Sequence, residues 1–474
     1  MPSPQVVILA AGKAERMKSA LPKVFFPIAG IPAICHLLRT LNEADLKDVV
    51  IVTSPLRKKD LESLIKQENL SLRISFAIQK DPKGTGHALL ASKSRWAKGV
   101  KPVLVMNGDV PLLNASTLLE MVDTHQNNDA SCSVATTSLA NPTGYGRIIR
   151  NHAGDVIKIV EEQDASPNER ENPEVNTGLY VFNSKDLAGS LSRIKPSNKK
   201  GEIYLTDVVE RLVEDNKRVE AHQFMDGEEF WGMNNREEYA ELCRSMQLRI
   251  NEKHMKEGVS ILAPDQAWID VDVNIAPDVV VYPGVHLSGT TQIERNVTIE
   301  PGCIIKDSHL KKGCLIKAGS YIEESEVGVE AQIGPYAHLR PESQVGKRAK
   351  VGNFVELKKT KLGDGSKANH LTYLGDAVIG RETNIGAGVI TCNYDGGLRY
   401  KGKATSRVGD HAFVGSDVQL VAPVTVKDHG YVASGSTITD DVPSYSLAIA
   451  RGKQVNKKDF IKRLKKRKPK KKGR

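Results

Sequence analysis

The strongest constraint on the fold is a six-residue apolar repeat in the second half of the chain. Neither the 3.6-residue period of a helix nor the two-residue period of a strand produces this spacing. A six-residue repeat instead predicts a three-sided parallel β-helix, in which each short strand points one apolar side chain inward. The repeated residues are Val327, Ile333, Leu339, Val345, Val351 and Leu357, then Val408, Val414, Leu420, Val426, Val432 and Ile438, with an earlier run of Val273, Val279 and Val285.

Glycines and one interruption accompany the repeat. Because glycine tolerates positive φ angles, we expect the glycines beside the apolar positions to form the tight corners of the coil. The repeat breaks off at residues 391–407, which predicts a loop that projects from the β-helix and is a candidate for function. The glycines concerned are Gly328, Gly334, Gly346, Gly352, Gly409 and Gly415.

The first half of the chain follows a different pattern, in which short apolar runs alternate with amphipathic stretches. Residues 6–10 and 102–107 are typical of buried strands, whereas residues 31–44 and 205–217 have helical spacing. This alternation predicts a Rossmann-like α/β domain whose mostly parallel sheet is covered on both faces. Ligands of such sheets bind beyond the carboxyl ends of the strands.

These changes of pattern predict the domain boundaries. We expect an α/β domain at residues 1–235, a linker helix at 236–258, a β-helix at 259–456 and a basic tail at 457–474. The tail holds 12 of the 67 Lys and Arg residues and one of the 57 Asp and Glu residues, so the remainder carries 55 basic and 56 acidic groups. Such a tail is expected to be extended and disordered, and either to aid solubility or to contact RNA or acidic lipid.

The composition places the chain among soluble globular proteins, with 40% hydrophobic and 26% charged residues. No apolar run reaches the roughly 18 residues that a membrane span needs, and the amino terminus lacks the basic stretch of a secretory signal. We therefore expect a cytoplasmic protein. Its six cysteines show neither a CxxC pair nor zinc-ligand spacing, which favours free thiols.

The stretch LAAGKAERMKSALPK at residues 9–23 places small residues, Arg16 and Lys23 directly after the first predicted strand. Such a loop can bind nucleotide phosphates through backbone amides and cationic side chains, or it can be a plain turn between a strand and a helix. It lacks the Gly-Lys-Ser/Thr ending of a Walker A motif. Asp109 in NGDVPLL follows another predicted strand, where a carboxylate can bind Mg²⁺.

Further polar motifs follow in the same half. KGTGHA (83–88), PTGYGRI (142–148), IVEEQDA (159–165) and EVNTGLY (174–180) supply glycine loops, hydroxyls, carboxylates and amides suited to a sugar nucleotide. Taken singly, each is more often a turn or a surface patch. In this order, and followed by GMNNR (232–236), they resemble the sugar-phosphate nucleotidyltransferases.

Residues 352–380, GNFVELKKTKLGDGSKANHLTYLGDAVIG, extend the resemblance into the repeat region. The two halves together are similar to a family of bacterial enzymes that fuse N-acetylglucosamine-1-phosphate uridylyltransferase to glucosamine-1-phosphate N-acetyltransferase. The resemblance spans residues 5–451 and implies a left-handed β-helix with hexapeptide repeats and a homotrimer. It implies that acetyl-CoA acetylates glucosamine-1-phosphate, and that UTP and Mg²⁺ then convert the product to UDP-N-acetylglucosamine and pyrophosphate. This nucleotide sugar is a precursor for bacterial cell-wall and surface glycans.

Two alternatives stay open on the sequence alone. In the first, only the nucleotidyltransferase is active and the β-helix serves as an oligomerisation scaffold. In the second, the chain is a trimeric scaffold whose basic tail binds RNA or acidic membranes; contact with nucleic acid would otherwise be a secondary property.

The resemblance implies roles for individual residues of the α/β domain. The residues expected along the nucleotide and its phosphates are Ala11, Gly12, Arg16, Lys23, Gln79, Gly84, Thr85 and Asn234, of which Gln79, Gly84 and Thr85 would read uracil. The residues expected at the N-acetylglucosamine group are Gly146, Glu161 and Asn176, and the expected Mg²⁺ ligands are Asp109 and Asn234.

In the β-helix the resemblance implies that His370, in KANHLTY, is the general base that takes a proton from the attacking amine. A lone histidine in a repeat protein is otherwise usually structural or exposed. The residues expected at the sugar phosphate are Arg340, Lys358, Tyr373, Asn384 and Arg399. The residues expected along acetyl-CoA are Ala387, Asn393, Tyr394, Ser416, Ser434 and Arg451.

The chain departs from the family pattern at four points. Ala14 stands where the family usually has glycine, and Glu15 stands where threonine is common. The link after NYDG is longer than usual, which affects the assignment of Arg399, and Ser434 replaces a common alanine. We expect nucleotide binding to survive, because alanine still allows close approach of the backbone when φ is negative.

Overall fold

The computed structural model divides the chain into two compact units, Met1–Ile250 and Asn251–Arg474. The division lies within the long helix Arg236–Lys256, which corresponds to the linker helix predicted at residues 236–258. The described residues are 3–12, 14, 16–96, 101–194, 201–398 and 401–466.

A nine-stranded sheet forms the centre of the first unit. Gln5–Leu9 pairs in parallel with Asp48–Thr53 on one side and with Pro102–Asn107 on the other. Glu174–Asn183 runs antiparallel to both of its neighbours in the main sheet, so the sheet is mixed. The strands are Gln5–Leu9, Asp48–Thr53, Arg73–Ile78, Pro102–Asn107, Cys132–Ser138, Arg147–Arg150, Val156–Val160, Glu174–Asn183 and Val219–Phe224, with a separate pair at Pro27–Ile28 and Ile31–Pro32.

Helices cover both faces of this sheet. Because successive side chains of a strand point to opposite faces, Val6 and Ile8 join one hydrophobic cluster and Val7 joins another. The two-sided burial confirms the predicted Rossmann-like α/β domain. The helices of the first cluster are Ala33–Glu43, Lys58–Gln67 and Ala115–Asn127, and those of the second are Thr85–Ser92, Ser184–Leu191 and Asp207–Glu214. The short helices are Lys23–Phe25, Lys93–Arg95, Pro167–Arg170 and Gly227–Phe230.

The second unit is a parallel β-helix with three sheets of 11, 10 and 9 strands. Successive coils place Gln332 opposite Lys350 and Lys350 opposite Lys367, which are 18 and 17 residues apart. Three short strands in each such coil account for the six-residue repeat. This arrangement confirms the predicted fold class, a left-handed β-helix of hexapeptide repeats.

The strands of the β-helix are short, and most contain two or three residues. The first sheet consists of Ser260–Ile261, Val280–Val281, Thr298–Ile299, Leu315–Ile316, Gln332–Ile333, Lys350–Asn353, Lys367–His370, Asn384–Ile385, Phe413–Val414, Tyr431–Val432 and Leu447–Ala448. The second consists of Trp268–Ile269, His286–Ser288, Ile304–Lys306, Tyr321–Glu323, His338–Leu339, Glu356–Lys358, Tyr373–Gly375, Ile390–Cys392, Gln419–Val421 and Thr437–Ile438. The third consists of Asn274–Ile275, Gln292–Ile293, His309–Leu310, Glu326–Val327, Gln344–Val345, Lys361–Leu362, Ala377–Ile379, Ser406–Val408 and Val424–Val426.

The apolar residues of the predicted repeat all point into this core, and none is more than 4% exposed. The run Val273, Val279 and Val285 forms a second inward row, in which each residue precedes a buried strand residue such as Ile275 by two positions. Each side of the coil therefore contributes two inward positions. Each run of the sequence repeat followed only one of the two.

The prediction that the glycines beside the repeat form corners with positive φ was wrong at most positions. All six belong to the described residues, and of these only Gly334 has a positive φ, at 94°. Corners with positive φ are formed instead by residues such as Asp278 and Arg348. A Cβ added at Gly328 would lie 2.6 Å from the backbone carbonyl carbon of Gly346 in the next coil. The other five glycines are therefore needed for close stacking of the coils rather than for their backbone angles.

The interruption of the repeat enlarges one coil. Ala377 lies opposite Ser406, a separation of 29 residues instead of 17 or 18, and the loop occupies the difference. Arg399, predicted to bind the sugar phosphate, lies outside the described residues.

In the tail, the structure forms a short helix at Phe460–Lys466 where the sequence predicted extended chain. Among the helices that the structure describes, none combines the length and apolar character needed to cross a lipid bilayer.

Candidate functional site

A cleft of about 700 Å³ opens at the carboxyl edge of the central sheet in the first unit and continues into a space of about 290 Å³. Leu9 and Asn107, which end two adjacent parallel strands, line both parts. The cleft thus lies where α/β sheets bind their ligands. The residues common to both parts are Leu9, Arg16, Thr85, Asn107, Asp109, Gly144, Glu161 and Asn234.

Two cations and two oxygen-bearing side chains meet in this cleft. Lys23 Nζ lies 2.7 Å from Asn234 Oδ1 and 3.4 Å from Asp109 Oδ2. Arg16 Nη2 donates to the same Asn234 oxygen at 2.8 Å. The backbone N–H of Asn234 donates to Glu238 Oε2 at 2.7 Å, which fixes the position of that residue. The predicted phosphate cations and the predicted metal ligands therefore form one cluster, although they are as much as 218 residues apart in sequence.

The segment that leads into and includes KGTGHA lines the larger part of the cleft. Gln79 is 5% exposed; its Nε2 donates to Gly84 O at 3.2 Å and lies 3.0 Å from His87 Nδ1. Gly84 has φ 99°, a conformation that glycine adopts without strain. Thr85 Oγ1 accepts the backbone N–H of Leu205 at 3.0 Å. These contacts hold the amide of Gln79 at the cleft wall, where it can present hydrogen-bonding atoms to a base.

The smaller part of the cleft collects the residues predicted to bind N-acetylglucosamine. The backbone N–H of Asn176 donates to Gly146 O at 2.9 Å, and Asn176 Oδ1 accepts the N–H of Gly178 at 3.1 Å. Glu161 Oε1 accepts the hydroxyl of Thr206 at 3.1 Å. Gly146, Glu161 and Asn176 therefore line one space with fixed polar groups.

The sequence did not single out Arg147, which directly follows Gly146 of this part of the cleft. Its side chain is 2% exposed and pairs with Glu162 at 2.7 Å. Its guanidinium also donates to the backbone carbonyls of Tyr145 and Arg170. Glu162 Oε2 in turn accepts the N–H of Gly144 at 3.3 Å. A cation this deeply buried requires such partners, and the contacts join the PTGYGRI and IVEEQDA motifs.

In the β-helix, His370 and Tyr373 flank one corner of a coil, in the strands Lys367–His370 and Tyr373–Gly375. His370 is exposed, and its Nδ1 lies 2.7 Å from Oδ1 of Asn353, the residue opposite it in the preceding coil. Because an amide oxygen accepts hydrogen bonds, this contact places the proton of a neutral imidazole on Nδ1 and leaves Nε2 as the basic nitrogen. The sequence did not indicate Asn353, which precedes His370 by one coil.

Cations collect beside this corner. Arg340 Nη1 pairs with Glu356 Oε1 at 2.8 Å, and Glu356 lies opposite Tyr373. Lys358 lies beside Lys403, and a hydrogen bond from Lys403 together with the charge of Lys403 lowers the pKa of Lys358. Two lysines this close repel each other when both are charged, so an anion bound between them would stabilise both charges.

Lys403 was absent from the residues predicted for the sugar phosphate. The resemblance implied Arg399 instead, which lies outside the described residues. The longer link after NYDG was the feature of the sequence that could have pointed to Lys403. Extra residues in this link can place a different cation at the position that the family pattern requires.

The residues predicted along acetyl-CoA form a column on one corner of successive coils. The N–H of the residue after Ser416 donates to Ala387 O at 2.7 Å, and the N–H of the residue after Ser434 donates to Ser416 O at 2.8 Å. Arg451 Nη1 donates to Ser434 O at 2.8 Å. These four predicted residues, which span 65 positions of sequence, are therefore stacked along the β-helix axis.

Three other predicted residues of the β-helix lie near this column and the corner. Asn384 lies opposite Lys367, in the coil after the one that carries His370. Asn393 is buried and donates from Nδ2 to Asp376 Oδ2 at 2.6 Å, so its side chain anchors the base of the loop. Tyr394, the next residue, is 65% exposed and is free to meet a ligand.

Comparison with known proteins matches one family over the first part of the chain and whole relatives over nearly all of it. The nucleotidyl transferase family matches residues 5–271. The bifunctional protein GlmU of Geobacter metallireducens is 44% identical over 468 residues, covering 95% of this chain and 97% of its own. The GlmU proteins of Carboxydothermus hydrogenoformans and Clostridium tetani are 42% and 40% identical, each covering 96% of this chain and 99% and 98% of their own. The chain belongs to the bifunctional GlmU family.

Membership of the GlmU family confirms the predicted pair of activities. The chain is a nucleotidyltransferase that transfers uridylyl groups and an N-acetyltransferase. The alternative in which the β-helix is only a scaffold is not favoured, because the GlmU relatives match nearly all of the chain, including the repeat region. The roles of individual residues stay predictions, and the geometry above is their support.

Proposed function

We propose that this chain first acetylates glucosamine-1-phosphate with acetyl-CoA at the β-helix. It then transfers uridylyl from UTP to N-acetylglucosamine-1-phosphate in the cleft of the first unit. The observation that carries the proposal is the cluster of Arg16, Lys23, Asp109 and Asn234 in a cleft lined by the predicted sugar and base residues.

Uridylyl transfer requires alignment and charge neutralisation more than covalent assistance. Arg16 and Lys23 would neutralise the triphosphate while Gln79 reads uracil. A phosphate oxygen of the sugar phosphate would attack the α-phosphorus of UTP, and the bond from that phosphorus to the bridging oxygen would break to release pyrophosphate. Arg147 would keep the sugar-binding loops in place for this attack.

Asp109 and Asn234 fit the role of Mg²⁺ ligands. Their oxygens already converge on one cationic atom, Lys23 Nζ, and hard oxygen donors are what Mg²⁺ prefers. Within the described ranges, no three His, Cys, Asp or Glu side chains form a metal site by themselves. Proteins commonly bind Mg²⁺ through one or two side chains together with substrate phosphates, so a pair of protein ligands is sufficient. When bound, Mg²⁺ would neutralise charge that develops on the phosphates.

At the β-helix, His370 would take a proton from the glucosamine amine as the nitrogen attacks the acetyl carbonyl carbon. The carbon–sulfur bond of acetyl-CoA would then break, and the thiol of coenzyme A would leave. Asn353 would hold the imidazole in the tautomer that makes Nε2 basic. Arg340, Lys358 and Lys403 would bind the sugar phosphate as charge partners.

A cytoplasmic homotrimer is the assembly that we propose. All six cysteines are among the described residues, and no disulfide joins any two of them, which agrees with a reducing compartment. Tyr336 and Phe354 stack at 5.8 Å on the β-helix surface although each is more than half exposed. Exposed aromatic pairs of this kind are common at protein interfaces, and a neighbouring copy would cover them.

The proposal is tested by incubating the protein with glucosamine-1-phosphate, acetyl-CoA, UTP and Mg²⁺. We expect free thiol, pyrophosphate and nucleotide sugar to appear together, with pyrophosphate release dependent on acetyl-CoA. Release of pyrophosphate only from ready-made N-acetylglucosamine-1-phosphate, without any free thiol, would contradict the acetyltransferase. Absence of pyrophosphate under either condition would contradict the uridylyltransferase.

Replacing Lys403 with alanine is expected to raise the KM for glucosamine-1-phosphate roughly tenfold, because one charge-assisted phosphate contact is lost. The KM for acetyl-CoA should not change, and steady-state thiol release measures both constants. Lys401→Ala removes a nearby exposed lysine and is the matched control. If Arg399→Ala raises this KM and Lys403→Ala does not, the original assignment of Arg399 is correct and that of Lys403 is not.

A further inference from the structure

The tail helix, Phe460–Lys466, contains none of the residues assigned above to either activity. Its three apolar side chains are open to solvent, with exposed fractions of 47% for Phe460, 60% for Ile461 and 48% for Leu464. At 3.6 residues per turn, these positions fall within an arc of about 100° on the helix surface. The tail helix therefore presents an exposed apolar stripe.

The opposite side of the tail helix is cationic. Lys462, Arg463 and Lys465 are exposed, and their positions fall outside the apolar arc. The segment is thus a basic amphipathic helix, a pattern typical of proteins that lie on a membrane surface. An amphipathic helix of this kind enters the interface between headgroups and acyl chains without crossing the bilayer.

Charge is concentrated in the tail to an unusual degree. Residues 457–474 carry 12 basic groups and one acidic group, whereas the rest of the chain has 55 basic and 56 acidic groups. Residues 467–474, which lie outside the described residues, contribute six of these basic groups by sequence. Attraction to an anionic surface would therefore act through the tail rather than through the folded units.

We propose that the tail helix docks on an anionic lipid bilayer. Phe460, Ile461 and Leu464 would enter the interface, and the surrounding cations would lie near the lipid phosphates. The apolar stripe favours lipid over RNA, because RNA attracts the cations equally well but offers no apolar medium to cover three aliphatic and aromatic side chains. This binding would hold the enzyme at a membrane surface, and it is independent of the roles assigned to the active-site residues.

The test is co-sedimentation of the full chain with vesicles. We expect binding to vesicles that contain phosphatidylglycerol to exceed binding to pure phosphatidylcholine at least roughly tenfold, and to weaken as salt is raised. The triple variant Phe460→Ser, Ile461→Ser, Leu464→Ser keeps every charge and should reduce binding at least roughly tenfold, because the buried apolar surface is lost. Val455→Ser, which alters a 77% exposed apolar residue just before the tail, is the matched control and should bind like the unaltered chain.

Several results would overturn the proposal. Equal binding to the two vesicle types would do so, as would unchanged binding by the triple variant. Displacement of the chain from vesicles by single-stranded RNA, with RNA affinity unaffected in the triple variant, would assign the tail to nucleic acid. A changed oligomeric state of the triple variant in light scattering would assign the apolar stripe to a second copy of the chain. Both enzyme activities serve as the folding check, because the altered side chains are exposed and should leave them unchanged.

Discussion

Replacing His370 with alanine is expected to lower acetyl transfer at least roughly 100-fold and to leave uridylyl transfer unchanged. The imidazole is exposed, and its Nδ1 is engaged by Asn353 at 2.7 Å, which leaves Nε2 free to accept a proton. Without this base, the amine of glucosamine-1-phosphate has no partner that takes its proton as the nitrogen attacks the thioester. The substitution lies in the β-helix, whereas the uridylyltransferase cleft is formed by residues of the first unit.

The measurement compares two rates on the same sample: thiol release from acetyl-CoA, and pyrophosphate release from UTP with ready-made N-acetylglucosamine-1-phosphate. His286→Ala is the matched control, because His286 is also an exposed histidine on a β-helix strand but lies in an earlier coil. The control should retain both rates. If acetyl transfer persists in the His370 variant at the rate of the control, another group is the base.

The fold was largely predictable because two sequence patterns, the alternation of strands with helices and the six-residue apolar repeat, follow directly from backbone geometry. A residue that points inward in one short strand is followed six positions later by its equivalent in the next, so Val327, Ile333 and Leu339 revealed the coil directly. The role of the glycines was not predictable in the same way. Gly328 is constrained by Gly346 in the next coil, and that contact depends on how the coils stack rather than on local sequence.

Residues of the candidate sites were predictable from the sequence when a recognisable motif marked them. Residues that matter only through a contact in the folded chain were not. Arg16, Lys23 and Asp109 each lie in a motif beside a predicted strand, and the structure brings them together. Asn353 lies within the motif at residues 352–380 but was not singled out there, and Lys403 lies in the projecting loop. Each becomes informative only through a contact in the folded chain, with His370 and with Lys358 respectively. A pattern in sequence therefore locates the site, and partners in adjacent coils complete it.

Replacing Asp109 with asparagine is expected to lower uridylyl transfer at least roughly 100-fold while acetyl transfer continues at its normal rate. The substitution keeps the size of the side chain but removes the negative charge that pairs with Lys23 at 3.4 Å. Asn234 would then be the remaining member of the proposed ligand pair, and a neutral amide holds a divalent cation less strongly than a carboxylate does. Charge on the UTP phosphates would be neutralised less completely in the transition state.

Two measurements separate a metal-binding role of Asp109 from a structural one. Pyrophosphate release reports the reaction, and titration with Mn²⁺ in the presence of UTP, followed by electron paramagnetic resonance, reports cation affinity without turnover. Both should fall in Asp109→Asn, whereas both should be unchanged in Asp123→Asn, which alters an exposed carboxylate on the helix Ala115–Asn127. Normal Mn²⁺ affinity together with slow pyrophosphate release would show that Asp109 acts through Lys23 rather than as a ligand. Normal values of both would remove Asp109 from the site altogether.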